Sequence, residues 1–217
     1  MERRSALKNM GMAFGYAVAT PTLFSLLQSC KSKPAYAEWT PSFLDKEHGY
    51  AMAQTLDVIL PKTDTPSATE MNVHVFIDAY LDEVMPLEQR DFVVMKMKKF
   101  YDKVLADSGK ENLMDIEPAD IEPALRTYLK KRTDDEEEAH SEAIMNYMEA
   151  ILEGGEGSLD DDIARFSFAN DLRDLATWAY KSSEYIGEEV LAYLPIPGEY
   201  IPCGDMETLT GGKAWSL

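Results

Sequence analysis

Apolar residues recur every three or four positions along most of the chain, and no stretch alternates with period two. That spacing gathers apolar side chains on one face of a helix. A first helix is expected from Tyr50 to Leu60, carrying Ala51, Leu56, Ile59 and Leu60, with Pro61 as its stop. Lys62 to Thr69, interrupted by Pro66, reads as a loop. Val73, Phe76, Ile77, Tyr80, Leu81 and Val84 form one stripe of a second helix. Pro86 suits the first turn of a third, which runs to Ala106 with Val93, Met97, Phe100, Tyr101, Val104 and Leu105 at helical spacing. Asp120 opens a fourth segment whose apolar face is Ile121, Leu125, Tyr128 and Leu129, and Pro123 is compatible with it only in the first turn.

Thr133-Asp134-Asp135-Glu136 has the form of a capping box, and its acids suit the positive end of a helix. The helix behind it is expected to bury Ile144, Tyr147, Met148, Ile151 and Leu152 before Gly154-Gly155-Glu156-Gly157 ends it. Ser158 is expected to cap the longest helix, where Phe168, Leu172, Leu175 and Ala179 share a face. The fold class predicted is all-α: one bundle-like helical domain over residues 44–193, followed by an irregular Pro/Gly-rich arm over 194–217.

In that arm Pro195, Pro197, Gly198, Pro202, Gly204, Gly211 and Gly212 oppose regular structure. Long structureless segments in compact domains usually serve a function. Tyr193, Ile196, Tyr200, Ile201 and Trp215 are too apolar for a free tail, so the arm lies against its own helices or against another protein. The expected partner interface is the stretch from Tyr180 to Tyr200. Tyr180, Tyr185, Tyr193 and Tyr200 are amphipathic aromatics of the kind enriched at interfaces. Pro195 and Pro197 reduce the entropy lost on docking, and Gly198 permits a turn. Closure of the bundle's own core by the same tyrosines is the competing placement.

Residues 1–29 differ from the rest. Arg3, Arg4 and Lys8 precede an apolar stretch from Met10 to Leu27, the order found in an export signal. Gly11, Gly15, Thr20, Pro21, Thr22 and Ser25 make it a poor permanent membrane span. Arg3 and Arg4 resemble a twin-arginine motif, although Glu2 and Ala6 depart from the usual pattern; general secretory routing also fits. Leu27-Gln28-Ser29-Cys30 has the form of a lipoprotein cleavage site, so Cys30 is the expected lipidated N-terminus of an exported, membrane-associated protein on the periplasmic side. Residues 30–43 then form the lipidated cysteine and a tether. Without lipidation, a Cys30–Cys203 disulfide is the alternative in an oxidising compartment.

Charge narrows the functions. The 217 residues carry 21 Lys and Arg against 39 Asp and Glu, a net charge of −18. Such a surface repels phosphate backbones and anionic lipid heads, so no nucleic acid is expected as a partner. Glu137-x-x-His140 matches half the ligand set of a helical di-iron site, but neither His48 nor His74 has Glu three residues before it. Both Glu137 and the five-acid run from Asp134 to Glu138 read better as a solvated helix start. Gly154-Gly155-Glu156-Gly157 follows a helix and lacks the third glycine of a dinucleotide loop. Neither a heme attachment motif nor a complete calcium loop occurs, so no catalytic, cofactor-binding or metal residue is assigned.

Two stretches resemble the gluconate 2-dehydrogenase subunit 3 family, the small subunits of membrane-bound FAD-dependent sugar dehydrogenases. One runs from Leu56 through Pro61, Thr65-Pro66 and Val73 to Leu81; the other runs from Leu175 through Ser183-Glu184-Tyr185 to Pro195-Ile196-Pro197-Gly198-Glu199-Tyr200. Ala179 and Lys181 stand where the family usually has Gly and Phe. The resemblance implies a non-catalytic subunit that escorts and stabilises a flavoprotein of the glucose–methanol–choline oxidoreductase type. It places FAD in that partner and heme c, where present, in a cytochrome c subunit; gluconate, glucose and glycosides are all compatible substrates. A free-standing exported helical binding lipoprotein is the alternative reading, and a di-iron protein on Glu137 and His140 a third.

Overall fold

A computed structural model of the protein describes residues 34–155, 157–196, 198, 201 and 203–216. The chain divides into two compact units, residues 1–37 and 38–217. The described part of the first holds a short 3₁₀ turn, Ala35–Ala37. The second holds the helices: α1 Lys46–Ile59, α2 Val73–Glu83, α3 Leu87–Ser108, α4 Pro118–Tyr128, α5 Asp134–Leu152, α6 Asp161–Lys181 and α7 Met206–Thr210. Among the described residues there is no strand, and the all-α class holds. No helix among them is long and apolar enough to cross a membrane.

Caps move several boundaries away from those the apolar spacing suggests. Asp45 accepts from the His48 amide at 2.9 Å, so α1 starts at Lys46, before its first buried apolar residue. Asp120 accepts from the Glu117 amide at 2.7 Å and starts α4 at Pro118. Pro123 therefore lies in the second turn, on the solvent side, where water can take the carbonyl it leaves unbonded. Asp160, rather than Ser158, caps α6, accepting from Asp162 and Ile163. The longest helix is α3, with 22 residues against 21 in α6. Gly109 ends it at φ 69°, a conformation that favours glycine.

The core forms where α6 packs along α3, with α1, α2 and α4 closing around them. Phe100, Tyr101 and Phe168 meet ring to ring at 5.3–5.8 Å, and Tyr128 joins Phe100 at 6.1 Å. The Tyr101 hydroxyl bonds Thr55 at 2.9 Å, and complete burial pushes its phenol well above the usual range. Gln54 donates to the Ile116 carbonyl at 2.9 Å, tying α1 to the segment before α4. The expected burial along α5 is only partial: Ile144, Tyr147, Met148 and Ile151 are half-buried, none of its residues is fully buried, and Leu152 is 67% exposed. The aromatics of α3, α4 and α6 already fill the interior. α5 therefore lies outside them, held by its Thr133–Glu136 capping box and by Tyr147 stacked on Phe92 at 5.2 Å.

Residues expected to belong to the tether are part of the body. Trp39 and Phe43 pack on the core. Asp78, 1% exposed, accepts from Ser42 N, Ser42 Oγ, Phe43 N and Leu44 N at 2.6, 2.7, 3.3 and 2.9 Å. Gly49 permits the approach, since a Cβ there would stand 2.4 Å from Pro41 Cγ. The arm also holds more structure than its composition suggests. Asp205 caps α7, accepting from Thr208 N at 2.9 Å, and Gly211 ends it. Ala192 N donates to Ala214 O and Ser216 N to Ala192 O, both at 2.9 Å, a parallel bridge between Ala192 and Trp215. The glycines and prolines flank these features without preventing them.

Candidate functional site: an aromatic face and its pocket

On α2, Val73, Ile77 and Leu81 point into the core while Phe76, four residues before Tyr80, stays 42% exposed. On α6, Trp178 lies one turn beyond the half-buried Leu175 and is 46% exposed. The two helices pack, and three rings meet at the surface: Phe76–Trp178 at 5.3 Å, Tyr80–Trp178 at 6.0 Å and Phe76–Tyr80 at 6.1 Å. Val75, 39% exposed, extends the apolar surface. Tyr80 also lines a pocket of about 270 Å³ whose walls include Met52, Leu81, Met85, Met97 and Leu175. The pocket is apolar apart from Asp171 and Asp174, each engaged by a cation of this chain, Lys96 and Arg173.

Lys96 is 3% exposed and bridges α3 to α6. Its ammonium donates to Ser167 Oγ at 2.9 Å and to Asp171, and lies 4.3 Å from the centre of the Phe92 ring. Ser167 Oγ in turn donates to Asp171 at 3.2 Å. Lysine acts as donor to the serine, so this is a charge clamp between helices rather than a base activating a nucleophile.

Of the half-motif Glu137–His140, the histidine is engaged elsewhere. His140 Nε2 lies 2.9 Å from the Arg132 guanidinium, which pairs with Asp162 at 2.9 Å and covers the Phe166 ring at 4.3 Å. Burial, then the Arg132 charge, holds the His140 imidazole below its ordinary pKa. No group of three His, Cys, Asp or Glu placed to hold a metal occurs among the described residues.

The expected interface residues divide. Tyr180 is half-buried and turned inward: its hydroxyl donates to Pro66 O at 2.6 Å and Thr65 Oγ1 at 3.0 Å, pinning the loop after α1. That tyrosine closes the protein's own structure. Tyr185 and Tyr193 are 46% and 49% exposed, Pro195 is exposed, and Gly198 takes φ 74°. Tyr185 follows Glu184 in a π-helical turn, Tyr185–Val190, and borders a notch with Met71, Glu188 and Glu189. Pro197 and Tyr200 lie outside the described residues, as do Arg3, Arg4 and Cys30; Cys203 is exposed.

The surface roles of Phe76 and Trp178 escape a reading of the apolar stripe, which counts Phe76 and Tyr80 as core. The sign of them is excess. Five stripe positions on the eleven-residue α2, with Val84 just past its end, make two ridges, 73/77/81 and 76/80/84, more than one core-facing stripe requires. No curated protein and no solved structure matches the chain. The model of one family, described as gluconate 2-dehydrogenase subunit 3, matches residues 46–198, from the start of α1 into the proline-rich arm, and the chain belongs to that family.

Proposed function

We propose that this chain is the non-catalytic small subunit of an exported FAD-dependent dehydrogenase acting on a sugar or sugar acid, and that it escorts and stabilises the flavoprotein subunit. Membership of a family of gluconate 2-dehydrogenase subunits carries the reading. FAD then lies in the partner, a glucose–methanol–choline-type flavoprotein, and heme c in a cytochrome c subunit where one is present. This chain contributes contact surface and a membrane anchor, with export directed by Arg3 and Arg4 and lipidation at Cys30.

The closed arm supports an interface role. Tyr193, Leu194, Ile196, Ile201, Met206 and Trp215 are all between 46% and 82% exposed on a segment whose ends meet at Ala192. Anchoring the ends of a loop lowers the entropy its docking must overcome. In the native host, the tagged full chain should co-purify with a yellow, FAD-containing protein. Truncation after Ala192 should release that protein while helical content is kept, because every member of the core cluster precedes residue 180. A truncated chain that still holds the flavoprotein sinks the arm's role. A full chain that brings down none sinks the subunit assignment and favours a free-standing binding lipoprotein.

A further inference from the structure

We infer that the Phe76–Tyr80–Trp178 face and its pocket form a second docking surface, which takes a bulky apolar side chain and Lys or Arg residues from the flavoprotein subunit. This rests on the subunit reading above. The face is separate from the arm: it is built by α2 and α6, and its rings touch one another at 5.3–6.1 Å. Exposed contiguous aromatics of this kind mark interaction sites on soluble surfaces. The adjoining pocket gives the contact its anchor. A dry apolar cavity of about 150 Å³ already holds a benzene ring, and this one measures about 270 Å³. One large side chain fills it, the arrangement in which a few buried anchors carry most of a binding energy.

Charge selects the occupant. Asp171 and Asp174 at the pocket are neutralised within the chain by Lys96 and Arg173. Glu184, Glu188 and Glu189, around Tyr185 and beside Met71 at the start of α2, form no ion pair among the described residues. They call for cations from outside. A second copy of this chain is a poor source, since a symmetric contact would set these glutamates against an equally acidic surface. Anionic lipid is repelled for the same reason. A different protein that seats a Leu, Met or Phe in the pocket and sets basic residues over the notch beside Met71 satisfies both the pocket and the glutamates.

The test uses the full chain purified from its native host. Phe76→Ser with Trp178→Ser should retain the helical spectrum and carry at least tenfold less bound flavin than wild type. Glu188→Lys with Glu189→Lys should weaken retention several-fold and reduce its dependence on salt. A benzoylphenylalanine photocrosslinker at the exposed Val75 decides the matter if the double serine variant fails to fold. The expected adduct joins Val75 to a flavoprotein peptide that carries a bulky apolar residue. Undiminished flavin in the folded serine variant, or an adduct only to a second copy of this chain, overturns the surface and leaves the subunit assignment standing. A wild-type preparation with no flavoprotein overturns both.

Discussion

Asp78 is the residue on which the start of the helical body depends. It is buried at 1% exposure, yet its carboxylate satisfies three backbone amides and one hydroxyl from Ser42 to Leu44. Buried donors that lose their acceptor each cost about 1–3 kcal/mol. Asp78→Ala should therefore lower the unfolding free energy by about 3 kcal/mol, read from urea denaturation followed by circular dichroism. Cleavage between Trp39 and Leu44 by a nonspecific protease should rise with it. Asp78→Asn keeps an acceptor oxygen and should lose less; equal losses would mean that charge, not acceptor geometry, holds the segment. Nothing in the apolar spacing around Asp78 announces this role. An acid within a stripe of Val73, Ile77 and Leu81 reads as the polar side of a helix until the preceding segment is seen folded over it.

Among the elements, α5 stands apart. Its nineteen residues include none that are buried, and it is held by a capping box, by the Phe92–Tyr147 stack and by Arg132 reaching His140. A helix with so little burial opens at a low free energy relative to the core. Hydrogen exchange should show α5 amides exchanging well before those of α3 and α6. Thr133→Ala removes the cap, costs about 1 kcal/mol locally, and should speed α5 exchange roughly fivefold while the global melting temperature hardly moves. Equal protection of α5 and α3 in the wild type would contradict this. Helix existence was legible here because capping boxes and glycine stops are local signals. Burial was not, because Ile144, Tyr147 and Ile151 form a good stripe whose coverage depends on whether distant aromatics have already filled the core.

At the scale of the whole molecule, stability should fall on acidification in two stages. His74 is buried at the junction of α1, α2 and the N-terminal segment, where Trp39 meets its ring edge at 4.7 Å. Burial lowers its pKa below the ordinary 6.5, opposed by the charges of Asp57 and Asp78, and burial and Arg132 lower that of His140. The unfolded chain thus binds protons that the folded one refuses, so stability is full above pH 6.5 and declines as pH falls below it. The carboxylates of Glu70, Asp120, Glu136 and Asp161 are held below their ordinary values by Lys62, Lys110, the Thr133 cap and Lys99. Their contribution is present above about pH 4.5 and is lost below it. Melting curves at intervals from pH 8 down to about pH 2 should show both declines, the second setting in below 4.5 for the glutamates and below 3.8 for the aspartates, and His74→Gln should flatten the first. A stability that is level from pH 7 to 5 would refute the histidine stage. The all-α class, the loop at Pro66 and the helical order were all legible along the chain. The order inside the arm was not, since two hydrogen bonds linking Ala192 to Ala214 and Ser216 have no local signature.

That bridge has a practical consequence for anyone labelling the protein. The arm leaves the body at Ala192 and returns to it at Trp215, so Ser216 sits beside the last turn after α6, its Oγ close to Gly187. A fluorophore attached at Ser216 will report the position of the helical body and will crowd the root of the arm. A label meant to follow the arm itself belongs midway along the sequence between those ends, and Cys203, exposed, already offers a handle there.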